Sequence, residues 1–237
     1  MRAFEYSVPM FYYLIAAAVL AGLLWVTVNT TARAIEHMHE GTLLRQDLPA
    51  PAGAFAPVHA SVDGWARGRG YQAAGLTRLL PYPELAEAPD AEKFWEDMAA
   101  WLDREHRRML VVQHAQGKTA YHFITLYRSP EGREVMVNTT DLPTEFFMPQ
   151  PPGHYVQAFP GRTMDELLEL HEQAEAWLEN RGNYERTEAS LPLEALDRLS
   201  RERAGYVTRL PLWKPRLLWW HLVKSRYLNK PVGALYG

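Results

Sequence analysis

Cysteine is absent from this chain of 237 residues. That excludes disulfides, thiolate zinc sites and cysteine nucleophiles, and it decides nothing about redox compartment. Also missing are Gly-x-Gly-x-x-Gly, the P-loop, Gly-x-Ser-x-Gly and His-Glu-x-x-His. "GRGYQAAG" carries glycines but lacks a clear strand before it and a strong helix after it, so it reads as flexible chain rather than a phosphate loop. Charge is missing from Val8 to Val28, and acidic residues are missing from the last 32 positions.

The uncharged run "VPMFYYLIAAAVLAGLLWVTV" is long enough, at about 1.5 Å per residue, for a helix to cross the roughly 30 Å hydrocarbon layer. Phe11, Tyr12, Tyr13 and Trp25 stand near its ends, as interfacial aromatics do. "TARA" at 31–34 offers an Ala-x-Ala site, the mark of a cleaved signal peptide. The run exceeds the usual signal core and the leading residues set Arg2 against Glu5, so the expectation is a retained anchor over 1–34. The short N-terminal tail suits a single-pass protein of a bacterial inner membrane with its folded part outside the cytoplasm.

Residues 35–89 hold a juxtamembrane stretch and a segment rich in Pro, Ala and Gly without sustained periodicity, expected to be a spacer. Trp65 and Tyr71 suggest that part of it packs on the domain. The domain proper is expected over 90–205. Asp90 would cap a helix across 91–108, with Phe94, Trp95, Met98 and Leu102 on one face and Glu92, Glu96, Asp97 and Asp103 solvated. Strands follow at 109–114, 120–127 and 134–140, joined by compact turns. Phe146, Phe147, Tyr155 and Phe159 lie in a Pro-rich connection. Thr163 and Glu166 then form a capping box for a helix carrying Met164, Leu167, Leu168, Ala174 and Leu178, and a third helix spans 191–203. The fold class expected is α+β: a transmembrane helix, a three-stranded antiparallel sheet with about three helices, and a basic C-terminal helix.

The tail from 206 carries a formal +6 and residues 1–205 a formal −9, which together give the net −3. Trp213, Lys214, Arg216, Trp219, Trp220, Lys224, Arg226 and Tyr227 are the candidate docking residues, on a helix from Pro215 to Leu228. Basic helices with Trp and Leu anchors lie on anionic membrane surfaces. The same residue types also dominate protein interfaces, so the acidic body or another subunit is an equal candidate. Six charges without a reading motif point away from nucleic acid.

Histidine supplies the remaining chemistry. His37 and His39 could share a metal with Glu36 or Glu40 on an extended backbone, whereas a continued helix would splay them by about 200°. His114, His122 and Asp141 fall on neighbouring strands and could serve acid–base work. Neither set has a nucleophile or metal spacing that specifies a reaction. The function expected is therefore non-catalytic: a membrane subunit or scaffold of a larger envelope assembly, contacting the bilayer through 8–28 and other subunits through the domain, with no cofactor. A membrane-tethered enzyme or a metal- or haem-binding factor is the alternative.

Overall fold

A computed structural model describes residues 7–144, 148–188 and 192–237, with side chains from Phe11 onward. Phe146, Phe147 and Leu191 lie outside the described residues. Among the described residues the chain forms a mixed α+β structure with six α-helices and an eight-stranded sheet.

Helix α1 runs unbroken from Ser7 to Glu40. Its upper part exposes Leu14, Leu20, Leu23 and Trp25, whereas Ala32 and Ile35 are buried. It is long and apolar enough to cross a membrane, and among the described residues it is the one such helix.

Strands β1 (Leu44–Asp47), β2 (Gln72–Leu80), β3 (Glu96–Leu102), β4 (Arg108–Ala115), β5 (Lys118–Arg128) and β6 (Glu134–Thr140) form an antiparallel series in sequence order. Strand β7 (His154–Ala158) joins β6 in parallel, and the short β8 (Glu185–Arg186) pairs with the end of β5. The expected meander at β4, β5 and β6 is therefore the centre of a larger sheet. Three strands was too few, and the missing ones have identifiable causes.

Residues 91–108 are not a helix. A 3₁₀ turn at Ala91–Phe94 leads into β3. Met98, Ala100 and Leu102 face one layer while Ala99 and Trp101 face the other, and all five are buried. A strand covered on both faces reads as a continuous apolar run, and such a run cannot be told from a helix by periodicity. The stretch expected as a spacer holds helix α2 (Phe55–Gly68) and β2. Phe55, Val62 and Ala66 are buried along α2, Pro57 sits in its first turn where no amide is lost, and Asp63 accepts the Trp101 indole N–H at 3.0 Å. The Pro-rich connection after β6 contains β7, on which Tyr155 packs against Trp177 and Tyr236; Phe159, just past it, is buried.

Helix α3 (Met164–Glu179) starts at the expected capping box, with the Glu166 amide donating to Thr163 Oγ1 at 3.3 Å and the Thr163 amide donating to Glu166 Oε2 at 2.9 Å. Together α2 and α3 cover one face of the sheet. Helix α4 (Pro192–Thr208) covers the other, with Leu193 and Leu199 in the core. The approach is close: a Cβ on Gly75 of β2 would lie 2.6 Å from Leu193 Cδ1.

Helix α5 (Trp213–Val223) packs beside the lower end of α1, where Ala32 and Ile35 meet Ala204, Val207 and Leu217. The chain then returns to the sheet edge. The Asn229 amide donates to Ala158 O at 2.8 Å, and α6 (Val232–Tyr236) lies over β7, with the Val156 amide donating to Tyr236 Oη at 3.2 Å.

Candidate functional site

The two faces of the sheet hold different polar groups. On the α3 face they are sealed into a chain. Gln157 donates to Thr139 Oγ1 at 2.8 Å, Thr139 meets His171 Nδ1 at 3.0 Å, His171 Nε2 meets Thr125 Oγ1 at 2.9 Å, and Thr125 donates to Glu175 at 2.6 Å. That direction of donation assigns His171 the neutral tautomer with its proton on Nε2. Burial favours the same neutral form, against the pull of Glu175. Burial works against the Glu175 charge, but the His171 contact and the Arg108 hydrogen bonds and charge overrule it and hold the carboxyl well below the usual range. Arg186 adds a second guanidinium at 3.3 Å. His171 and Glu175 have essentially no exposed surface, and this network is structural.

On the α4 face the polar groups line a cavity of about 400 Å³. Volumes of about 300–1,000 Å³ are typical of small-molecule sites. Each of five adjacent strands contributes one polar side chain: Glu96, Gln113, His122, Asn138 and His154. The strand register orders them. Gln113 lies opposite Met98, two residues from Glu96; His122 opposite Val111, two from Gln113; Asn138 opposite Ile124, two from His122; and His154 opposite Met136, two from Asn138. They form a diagonal seam across an otherwise apolar face, each step about 7–8 Å, so roughly 30 Å in all. The opposite wall is mixed: Leu193, Leu196 and Leu199 of α4 with Ala34 and Met38 of α1 supply its apolar part, and Asp197, Ser200, Arg201 and Arg203 of α4 its polar part.

Hydrogen bonding along the seam is incomplete. Asn138 Oδ1 and His154 Nδ1 are buried without a hydrogen-bond partner among the described residues. Their residues are only 5% and 4% exposed, so bulk water does not satisfy them. Gln113 donates to the sulfur of Met98 at 3.8 Å, a weak acceptor. Burial, with Arg203 adding to it, lowers the His154 pKa to about 4, and burial raises that of Glu96.

The histidines expected to act together do not meet. His114 stacks on Phe55 on the α2 face, whereas His122 faces the cavity across the sheet. Alternation along β4 and β5 puts them on opposite sides. Asp141 accepts the Tyr121 amide at 2.7 Å, and burial raises its pKa against the attraction of His122. Because α1 continues to Glu40, His37 and His39 diverge: His37 pairs with Glu84 at 3.2 Å, and His39 lies against Gly205. No group of three or more His, Asp or Glu side chains placed to hold a metal occurs among the described residues.

The tail candidates divide as well. Trp213 packs with the α1–α4 cluster, Lys214 pairs with Glu36 at 2.8 Å, and Trp220 meets Tyr227 at 5.3 Å between ring centroids. Tyr227 packs in turn on the sheet core, and Lys224 is half-buried. Arg216, Trp219 and Arg226 point outward with Leu212 and Leu222, Trp219 being 60% exposed.

Sequence reasoning passed over Glu96, Gln113, Asn138, His154 and Arg203. A signal existed: Gln113 and Asn138 share strand parity with Val111 and Met136, so each is a polar residue on a core-facing position. Glu96 had been assigned to a solvated helical face, which the strand replaces. No family model, curated protein or solved structure matches the chain.

Proposed function

We propose that this is a non-catalytic, single-pass protein of a bacterial inner membrane, whose domain is seated on the bilayer surface and works by recognition within a larger assembly. The observation that carries this reading is the position of α5. It packs on α1 at Ala32–Ile35, about 6–11 Å past the end of the apolar run at Val28, which is headgroup depth. There it exposes Leu212, Trp219 and Leu222 beside Arg216 and Arg226. Apolar anchors flanked by cations suit an anionic interface. Retention of α1 is supported by the same packing, because Ala32, inside the possible cleavage motif, is buried against α4 and α5.

The absence of cysteine makes both tests free of background labelling. A nitroxide on Leu222→Cys, in full-length protein reconstituted in bilayers with anionic lipid, should be reached by oxygen in preference to a water-soluble nickel reagent. Preferential access of the nickel reagent, or exclusion of both reagents by a packed protein partner, would sink the lipid-surface reading. The side of the membrane follows from Glu131→Cys in the β5–β6 turn. A membrane-impermeant maleimide should label it in spheroplasts without lysis, and labelling that needs lysis would place the domain in the cytoplasm.

A further inference from the structure

The two edges of the sheet are finished differently. At β7 the outer backbone groups are taken. The Asn229 amide donates to Ala158 O at 2.8 Å, and Tyr236 Oη accepts the Val156 amide at 3.2 Å and donates to Val156 O at 3.3 Å. Nothing comparable covers β1 among the described residues, and every residue of that strand is exposed. An open edge is a template for pairing with another chain. We propose that β1 pairs with β1 of a second copy, antiparallel about a two-fold axis at Gln46, so that two sheets continue into one across a symmetric dimer.

The register against β2 shows which groups are available. The Leu48 amide donates to Leu76 O at 3.0 Å, and Gln46 and Leu44 stand at the same parity, opposite Arg78 and Leu80. Bonded and unbonded pairs alternate in an antiparallel ladder, so the N–H and C=O groups of Arg45 and Asp47 point away from β2. Residues facing each other across a two-fold axis normal to the sheet must share a face, which admits only pairings centred on a residue. Centring on Arg45 sets two guanidinium groups against each other, and centring on Asp47 does the same with carboxylates. Centring on Gln46 sets Arg45 opposite the partner's Asp47, twice by symmetry, and Leu44 opposite the partner's Leu48. Opposite charges directly across a ladder stabilise it and like charges destabilise it, so charge selects this register. Arg45 and Asp47 already share a face, Nε to Oδ1 at 3.3 Å, and the dimer surrounds its axis with alternating charges. Leu44, 39% exposed, gains an apolar neighbour.

The same axis suits a shared bilayer. Helix α1 packs on the α4 side of the sheet, and rotation about the sheet normal leaves both copies of α1 on that side. An edge of four residues is small beside the roughly 1,200 Å² that specific soluble complexes bury. Confinement to one membrane supplies the effective concentration that holds it. The pairing therefore rests on the membrane reading for its strength, and on β1 alone for its register.

The natural lack of cysteine makes the axis directly testable. Gln46→Cys puts one thiol on the axis, where an unbonded antiparallel pair brings Cα atoms to about 4.5 Å, within disulfide reach. Full-length protein in vesicles, oxidised with copper phenanthroline, should run as a disulfide dimer. Leu44→Cys should not link to itself, because its copies stand about 14 Å apart along the ladder, beyond the limit of about 7 Å. Mixed Leu44→Cys and Leu48→Cys chains should link, and they decide the matter if Gln46→Cys does not fold. Adding Arg45→Asp to Gln46→Cys should slow linkage about tenfold, and adding Asp47→Arg as well should restore it. Linkage of Leu44→Cys as fast as that of Gln46→Cys, indifference to Arg45→Asp, or no recovery in the charge swap would each overturn the proposal. So would adducts of Gln46→Cys in native membranes formed only with a protein of different mass, which would assign the edge to another subunit. Vesicle flotation reports insertion separately. A chain that inserts without linking refutes the pairing alone, whereas one that fails to insert refutes the membrane reading, and its linkage in concentrated solution still decides the pairing.

Discussion

Replacing Glu175 with alanine should cost the fold about 3–5 kcal/mol, as removal of one partner from a buried ion pair does. Arg108 is only 14% exposed and donates from Nε to Glu175 at 3.1 Å, with a second contact from Nη2. Without the carboxylate its guanidinium stays buried; Glu172, at 3.2 Å, is itself half in solvent. Thr125 loses its acceptor, and the chain through His171 to Thr139 and Gln157 loses its charged end. Native domains hold only about 5–15 kcal/mol, so this single change approaches the whole margin. The check is chemical denaturation in mild detergent. The double variant Glu175→Leu with Arg108→Met should recover most of the loss, since apolar groups of similar volume replace buried pairs at little cost. A wild-type midpoint in Glu175→Ala would show that the network contributes little.

Acid should destabilise the protein between about pH 6.5 and 4, and His154 is one identifiable source. Its folded pKa, about 4, lies below the 6.5 of the free side chain. The unfolded chain therefore binds a proton that the folded one refuses. Stability from this group is complete above about pH 6.5 and is lost as pH falls toward 4, by about 3 kcal/mol. Burial dominates the shift; Arg203 and Arg198 reinforce it, and Glu134 opposes it. Glu202, 4.0 Å away and half in solvent, is too remote to reverse the balance. His171 acts in the same direction across the sheet. Denaturant midpoints at pH 7 and 4.5 should converge markedly in His154→Gln, and an unchanged pH dependence in that variant would rule out the assignment.

Legibility in the sequence followed burial geometry. The strands β4, β5 and β6 were readable because tight turns punctuate them, and α3 because its capping box is local chemistry. The strand β3 was not, because both of its faces are covered and neither period survives. Helix α2 was obscured by Ala, Gly and Pro, whose weak pattern acquires meaning only against Trp101 and Tyr71. The His114/His122 pair looked close along the chain, and the pleat separated them. The diagonal seam needed register, which strand-by-strand reading does not supply: its five members come from strands spread over nearly sixty residues, Glu96 to His154.

The unbroken run of α1 into the domain has a mechanical consequence. Thirty-four residues make a rod of about 50 Å with no hinge between the apolar segment and the packing on α4 and α5. Domain and rod therefore turn together. The azimuth of the cavity and of the α5 stripe relative to the apolar segment is set by helical phase just past Val28. One residue inserted between Asn29 and Thr31 would swing everything below it by about 100° and displace it by about 1.5 Å. Two residues would bring the opposite flank of the domain to face whatever grips the upper helix. The short Asn-Thr-Thr stretch thus acts as an angular setting, its length fixing the direction in which the domain faces relative to the apolar rod above it.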